Sequence, residues 1–198
     1  YIDIDVVVTI DIILLEEFLD NNFSRNFVVA ANKETIFENT LEFLLYKKIG
    51  KSNSESYYNT GIMLVNLKKW KELGLPNLFL EFANSHSDSL YAADQTVING
   101  VLENKDILKL PNKFNYRVEN TKSHSLYSQK QAILHLFGRP KPWDLFAEYI
   151  HPHYKIFKEI LSKTEFRNYN SIKSSTSASR KKFIKTYKSY IKVILKLK

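Results

Sequence analysis

The chain has 198 residues, 44% of them hydrophobic, with 13 Phe, 12 Tyr and no cysteine, which predicts one packed domain with or without a tail. The lack of cysteine excludes a disulfide framework and a thiolate metal site, and the lack of a long apolar run or charged-then-apolar start argues against a membrane span or secretory signal. The net charge of +8 comes from Arg180 to Lys198, which hold eight basic residues and no acid, so residues 1–179 balance to zero.

The first predicted strand, Tyr1 to Val8, contains two carboxylates, Asp3 and Asp5. Residues i and i+2 of a strand point to the same face, so we expect these aspartates to share one. A divalent cation such as Mn²⁺ or Mg²⁺ between them would relieve their repulsion. Taken alone, the pair favours the simpler interpretation of solvated aspartates that protect an edge strand. The run also starts without a preceding turn, from which we expect an upstream part to be missing.

The remaining pattern alternates helices and strands. Periodicity predicts short helices at 12–19, 76–85 and 92–102, strands at 26–31, 59–66, 107–110 and 133–136, and helical or loop structure at 34–49. Alternation of this kind indicates an α/β domain with a mixed sheet. We divide the chain into a domain over residues 1–165, a Ser- and Asn-rich polar linker over 166–179, and a basic tail over 180–198.

A second candidate group follows the strand at 133–136, in the segment His135-Leu136-Phe137-Gly138-Arg139-Pro140-Lys141-Pro142-Trp143. Gly138 permits close backbone approach to a ligand, and the prolines stiffen the loop that presents Lys141, whose ammonium suits phosphate. A histidine here is usually structural, and we expect Trp143 only to anchor the core. Together with the two aspartates, however, the segment suggests a cation that bridges the protein to a diphosphate.

Two further groups are less specific. Asp94 and Gln95 lie near the start of the helix predicted at 92–102, and Asn59 and Gly61 open the strand at 59–66. An Asp at a helix N-terminus is often only a cap, and Asn-Thr-Gly is often only a turn. The pattern alone therefore leaves both structural and ligand-binding roles open.

Taken in order, these motifs resemble glycosyltransferase family 8, whose members are retaining sugar transferases such as bacterial lipopolysaccharide galactosyl- and glucosyltransferases and glycogenin. The resemblance covers residues 1 to about 150 and rests on Asp3-x-Asp5, Tyr58 to Trp70, Asp94-Gln95 with Asn99, and His135-x-x-Gly138-x-x-Lys141-Pro142-Trp143. It implies a GT-A nucleotide-diphospho-sugar transferase fold, a UDP-sugar donor and a Mn²⁺ or, second, a Mg²⁺ cofactor. It also implies that the segment before the Asp pair, which supplies the uridine-binding half, is missing here.

The resemblance also assigns roles. It implies that the metal ligands are Asp3, Asp5 and His135, that the diphosphate contacts are Gly138 and Lys141, and that the groups near the donor sugar are Asn59, Gly61, Asp94 and Gln95. Retention requires either a protein nucleophile or same-face attack by the acceptor. Gln95 is a neutral amide and a poor nucleophile, so we favour same-face substitution, with Asp94 as the fallback nucleophile.

Two departures from the family bear on the transferred sugar. Relatives often carry an acidic residue directly after Asp-Gln, where this chain has Thr96. Relatives also tend to have an Asp shortly after the second strand, where Asn32-Lys33-Glu34 offers only Glu34 as a substitute. The sequence therefore leaves open whether glucose or galactose is transferred.

The tail reads as a basic amphipathic helix, with apolar residues at 183, 184, 187, 190, 191, 194 and 195 and lysines at 181, 185, 188, 192 and 196. This pattern favours peripheral attachment to an anionic membrane at its cytoplasmic, inner face. The alternatives are an ordinary helix packed on the domain and, least favoured, nucleic-acid binding, so we expect no nucleic-acid partner.

These observations predict a Mn²⁺-dependent retaining transferase that moves glucose or galactose from a UDP-sugar to a glycan or lipopolysaccharide-type acceptor. Two alternatives remain. One is a non-catalytic relic that binds the donor or a carbohydrate, which the expected loss of the upstream segment favours, and for the same reason we do not expect this chain to be active alone. The other is a metal-dependent phosphohydrolase that uses the same carboxylates.

Overall fold

A computed structural model describes residues 1–22, 24–119 and 131–195, with the side chain of Glu119 left out, so residues 196–198 of the predicted tail lie outside the described part. The chain forms two compact units. The first comprises Tyr1–Ile4 and Ile10–Asn115, and the second comprises Asp5–Thr9 and the chain from Tyr116 onward. Among the described residues, no helix is both long and apolar enough to cross a membrane.

The described ranges form six strands and eight helices, with short 3₁₀ turns among them. The strands are β1 Val6–Val8, β2 Val29–Ile36, β3 Ser56–Val65, β4 Ile107–Lys109, β5 Tyr116–Glu119 and β6 Ile133–Phe137. The helices are α1 Ile13–Asp20, α2 Phe43–Lys48, α3 Leu67–Glu72, α4 Leu75–Ser85, α5 Asp94–Val101, α6 Ala147–Ile150, α7 Tyr154–Leu161 and α8 Ser177–Ile194.

The first unit is built on a three-stranded sheet in the order β3-β2-β4, in which β2 is antiparallel to β3 and parallel to β4. The first half of β2 is buried, as expected for a central strand covered on both faces. Val29, Ala31 and Ile98 belong to one apolar cluster, so α5 packs against this sheet. The packing places the N-terminus of α5, with Asp94 and Gln95, next to β3.

The second unit is built on another three-stranded sheet, in the order β1-β6-β5. The central strand β6 is antiparallel to β1, with His135 opposite Val6, and parallel to β5. Leu134, Leu136 and Ile156 form its core, and Trp143 packs against that core as predicted. Helix α8 also packs on this unit, because the ring of Phe183 lies 5.3 Å from that of Phe146.

Both sheets mix parallel and antiparallel pairs, so the predicted α/β class with mixed sheets is confirmed, as are the helices at 76–85 and 92–102. Strands β2 and β3 are longer than predicted, and β5 was not predicted. Asn59 and Gly61 lie inside β3 rather than at its start. Within the predicted linker, Ser171 is buried and donates a hydrogen bond to Glu148, 2.5 Å away.

The prediction of one continuous strand from Tyr1 to Val8 is wrong, because β1 begins only at Val6. The chain turns at Ile4–Asp5, and the Ile4 side chain is 96% exposed instead of facing a core. Before the turn, the Asp3 amide donates to the Gly61 carbonyl of β3, 2.8 Å away. After it, β1 pairs with β6. The turn arises because the two halves of one apolar run pair with strands of two different sheets.

Candidate functional site

In the second unit, the Asp5 carboxylate lies between an imidazole and an ammonium group. Its Oδ1 is 3.3 Å from Nε2 of His135, and its Oδ2 is 2.5 Å from Nζ of Lys141. The position of Asp5 is fixed by its backbone carbonyl, which accepts a hydrogen bond of 2.9 Å from the Leu136 amide. Lys141 Nζ also donates to the Leu136 carbonyl. Strand β6 and the loop that follows it therefore bring His135 and Lys141 next to Asp5, which is far from both in sequence.

These three groups offer the chemistry of a metal and diphosphate site. A carboxylate oxygen suits hard divalent cations such as Mn²⁺ and Mg²⁺, and an imidazole nitrogen is a common ligand of transition metals. The lysine ammonium suits a phosphate oxygen. His135 is buried, and the side chains of Asp5 and Lys141 are partly exposed, so a ligand in solvent can reach the carboxylate and the ammonium.

Asp3, the other predicted metal ligand, belongs to the first unit. The Tyr1 hydroxyl donates a hydrogen bond of 2.7 Å to its Oδ1. Ile4 alone separates Asp3 from Asp5 along the chain, so their Cα atoms can be no more than about 7 Å apart. Chain connectivity therefore limits how far apart these two residues can lie.

Gly138 and the backbone of Lys141 shape the loop after β6. Gly138 has φ +85°, in the left-handed region that glycine adopts without penalty. The Lys141 amide donates a hydrogen bond of 2.9 Å to Oδ2 of Asp144, and Oδ1 of Asp144 accepts one of 2.5 Å from Lys182 of α8. Asp144 thus anchors the loop that presents the lysine, a role that the sequence did not indicate.

In the first unit, the Gln95 side-chain amide is held at both ends. Its Oε1 accepts a hydrogen bond of 3.1 Å from the Thr60 amide, and its Nε2 donates one of 3.1 Å to Oε2 of Glu34. Asn59 Nδ2 donates to the same carboxylate oxygen over 3.2 Å. Glu34, the substitute suggested by the sequence, therefore joins two of the predicted sugar-contacting residues.

Asn59, Gly61 and Asp94 lie in the same network. Asn59 Oδ1 accepts hydrogen bonds of 2.9 Å from the Gly61 amide and 2.8 Å from Nδ2 of Asn115. Oδ2 of Asp94 is 3.5 Å from the Thr60 hydroxyl, and its side chain does not cap α5. The structure thus brings Asn59, Gly61, Asp94 and Gln95 together in one polar cluster of the first unit.

An open groove of about 1770 Å³ also lies on the first unit. Apolar side chains such as Phe27, Met63, Trp70 and Phe79 line it, and Asp94 lies among them. An apolar lining does not suit a charged diphosphate. The groove lining also includes the basic residues Arg25 and Lys69.

Two buried groups, Thr96 and Glu42, contact each other behind Gln95, and sequence reasoning missed Glu42. Thr96 is fully buried, and its Oγ1 donates a hydrogen bond of 2.6 Å to Oε1 of Glu42, a carboxylate that is only 4% exposed. Burial raises the pKa of nearby Tyr46, and it raises that of Tyr57 to about 12, so both phenols stay neutral. Glu42 belongs to no motif, and no local sequence signal marks it.

The family is decided by comparison of the sequence with known proteins. The family described as glycosyl transferase family 8 matches residues 1–147. The chain belongs to this family. The matched range contains every residue to which the sequence assigned a role in the donor or metal site, from Asp3 to Lys141.

Individual relatives agree with this family. The chain is 28% identical over 158 residues to a protein of Haemophilus influenzae provisionally named a glycosyltransferase, covering 77% of this chain and 46% of that protein. It is 27% identical over 121 residues to the lipopolysaccharide 1,2-glucosyltransferase of Escherichia coli K12, covering 57% and 35%. The chain therefore spans less than half the length of these two relatives.

A solved structure shows the fold. The galactosyltransferase LgtC, in complex with donor and acceptor sugar analogs, superimposes with a TM-score of 0.61 at 22% identity. The match covers 92% of this chain and 64% of LgtC. The predicted GT-A fold is thereby confirmed.

Proposed function

We propose that this chain carries catalytic residues of a retaining hexosyltransferase, which moves glucose or galactose from a UDP-sugar to a glycan or lipopolysaccharide-type acceptor. The observation that carries the proposal is the Asp5 carboxylate flanked by His135 and Lys141. Its chemistry suits a cation that neutralises a diphosphate, and family membership supports a nucleotide-sugar donor. In this proposal Lys141 binds the diphosphate, and Gly138 allows the diphosphate to approach the backbone closely.

Mn²⁺ is the proposed cofactor, which Asp5 and His135 would hold, with Asp3 as the further ligand that the family resemblance assigns. When bound, it supplies positive charge that stabilises the departing diphosphate. The chain's own residues do the rest of this work. Nε2 of His135 must be unprotonated to act as a ligand, and the Lys141 ammonium must exchange its bond with Asp5 for one to a phosphate oxygen.

The Gln95 network supports same-face substitution. The bond from the anomeric carbon to the diphosphate oxygen breaks, the acceptor oxygen bonds on the same face, and the acceptor proton passes to the departing phosphate oxygen. Gln95 is a poor nucleophile because it is a neutral amide, and its hydrogen bonds to Thr60 and Glu34 fix its dipole for electrostatic support of the sugar. Asp94 remains the fallback nucleophile.

A screen for UDP release tests this proposal. The full-length protein is incubated with UDP-glucose or UDP-galactose and Mn²⁺, and we expect Asp3→Asn and Asp5→Asn each to lower the rate by about 100-fold or more. The matched control is Asp88→Asn, an exposed aspartate in a 3₁₀ turn, which should react like the wild type.

The outcomes separate the alternatives. Wild-type rates in the Asp5→Asn variant would contradict the metal assignment. A non-catalytic relic would bind the donor but release no UDP. A phosphohydrolase would cleave simple phosphoesters without needing a sugar acceptor.

We also propose that α8 attaches the protein to the inner, cytoplasmic face of an anionic membrane. Its apolar residues divide into two groups. Phe183, Tyr190 and Val193 pack against the second unit or one another, whereas an outer row stays exposed, formed by Ile184, Tyr187, Ile191 and Ile194. Lys181, Lys185, Lys188 and Lys192 are on the same helix. A lysine near an anionic surface contributes about 1 kcal/mol, and buried apolar side chains add to this.

Vesicle co-sedimentation tests the attachment. We expect the wild type to bind phosphatidylglycerol-containing vesicles, to bind phosphatidylcholine vesicles weakly, and to be released by salt. The double variant Ile184→Asn/Ile191→Asn should reduce binding by about tenfold or more. The control is Ile160→Asn, an exposed apolar position on α7. Equal binding of the double variant and the wild type would rule out the outer row as the contact.

A further inference from the structure

We propose that Glu42 is a positioning residue for catalysis, because its buried carboxylate fixes the backbone turn from which Asp94 and Gln95 project. The part of this inference that concerns rate rests on the proposed function of Gln95. The structural part stands on the contacts of the first unit alone.

Glu42 holds both sides of this turn through one oxygen atom. Its Oε1 accepts a hydrogen bond of 2.9 Å from the Ala92 amide and one of 2.6 Å from the Thr96 hydroxyl. The Ala92 amide is also 3.0 Å from Oγ1 of Thr96. Glu42 lies just before α2, about fifty residues away in sequence, so these bonds tie the turn to a separate part of the unit.

The turn needs such support because of Ala93. This residue has φ +49° and ψ −117°, in a region that residues with a Cβ atom rarely adopt. Such a conformation persists only where the surrounding structure holds it. Glu42 bonds the residue before Ala93 and the residue directly after the Asp94-Gln95 pair, so the strained residue and the pair lie between its two contacts.

Further bonds transmit this position to the Gln95 amide. The Tyr46 hydroxyl donates to the Thr96 carbonyl over 3.2 Å, and Asn99 Nδ2 donates to the Gln95 carbonyl over 2.8 Å. The Gln95 side chain then meets the Thr60 amide of β3. A relaxed turn at Ala93 would shift Gln95 relative to β3 and weaken this contact.

Two substitutions of Glu42 distinguish its role as a hydrogen-bond acceptor from the effect of its negative charge. Both bonds end on the same oxygen, and a glutamine offers an oxygen in that place without a charge. We therefore expect Glu42→Gln to keep both bonds. Glu42→Met has a similar volume but lacks the oxygen, so it should release both.

Kinetics of the full chain test the role in catalysis. In Glu42→Met, we expect kcat to fall by about tenfold or more while KM for the UDP-sugar changes less than about threefold, because the diphosphate contacts are untouched. Glu42→Gln should restore kcat to within about threefold of the wild type. The control for destabilisation is Leu108→Ala, a buried position in β4, which should lower stability but leave kcat per folded molecule unchanged.

Amide hydrogen exchange of residues 92–96 provides a readout that does not depend on activity. We expect faster exchange there in Glu42→Met, and wild-type exchange in Glu42→Gln and Leu108→Ala. Unchanged exchange and unchanged kcat in Glu42→Met would overturn the inference. If the wild type transfers no sugar, the proposed function fails, but the exchange of these amides still decides whether Glu42 positions the turn.

Discussion

His151 should make the stability of the folded protein fall in mild acid. It is buried in the second unit, and within the described structure its Nε2 has no hydrogen-bond partner. Burial first, and then the nearby His153 and the Lys141 ammonium, lower its pKa to about 3. A histidine in an unfolded chain has a pKa of about 6.5.

The direction and size of the effect follow from these two pKa values. Below about pH 6.5, His151 binds a proton in the unfolded chain but stays neutral in the folded protein. The free energy of unfolding therefore falls as the pH falls toward 3. The full contribution is present above pH 6.5. Between about pH 6 and pH 4 the expected loss is about 1.4 kcal/mol per pH unit.

Urea denaturation of the wild type and of His151→Asn measures this loss. The Asn side chain does not titrate, yet its oxygen can accept the bond that Nδ1 of His151 accepts from the His153 amide over 3.1 Å. We expect the stability difference between the two proteins to change by about 1.4 kcal/mol per unit from pH 6 to pH 4.5. It should be constant from about pH 7.5 to 8.5, which is the internal control. A difference that does not change with pH would refute the reasoning.

Two other substitutions test contacts that hold the candidate site. Asn99→Ala removes two hydrogen bonds of 2.8 Å, to the Tyr58 amide and carbonyl, inside the core. We expect urea denaturation to show that the free energy of unfolding falls by about 2–4 kcal/mol. The control is Asn104→Ala at a more exposed position, which should lower it by less than about 1 kcal/mol. A small effect of Asn99→Ala would mean that these bonds contribute little. Lys182→Met leaves the buried Asp144 carboxylate without this ammonium partner. We expect the free energy of unfolding to fall by about 1–3 kcal/mol and proteolysis within α8 to become faster. Proteolysis at the wild-type rate would argue that the ion pair does not hold the helix.

The sequence predicted local structure better than the pairing of strands. Helix α5 follows from its apolar spacing, and the structure confirms it. The Asp3 and Asp5 run also reads as one strand, yet its two ends pair with β3 and β6 in different units. Periodicity indicates which residues alternate between faces, but it does not indicate which strand each half of a run will pair with.

The site shows the same division. The Asp5, His135 and Lys141 group was predicted because family spacing marks each residue, and the structure brings the three side chains into contact. Glu42 and Asp144 were missed because their roles depend on partners that are distant in sequence or on burial, neither of which has a local signature.

The tail gives a third example. Seven apolar positions follow helical spacing and predicted one stripe, but the structure divides them between Phe183 and Tyr190, which pack inward, and an outer row that includes Ile184 and Ile191. Val193, which was not among the seven, is also buried. Helical spacing defines the angular width of an apolar face. The part of that face covered by the protein depends on tertiary contacts.

The most direct test of the central proposal is the anomeric configuration of the hexose released or transferred from UDP-glucose and UDP-galactose. Proton NMR can follow the anomeric signal early in the reaction with Mn²⁺, before mutarotation mixes the anomers. Retention predicts that the α-linked donor gives an α-configured product together with UDP. An initial β-product would contradict the same-face mechanism, and the absence of turnover with either donor in the full-length protein would contradict the proposed transferase activity.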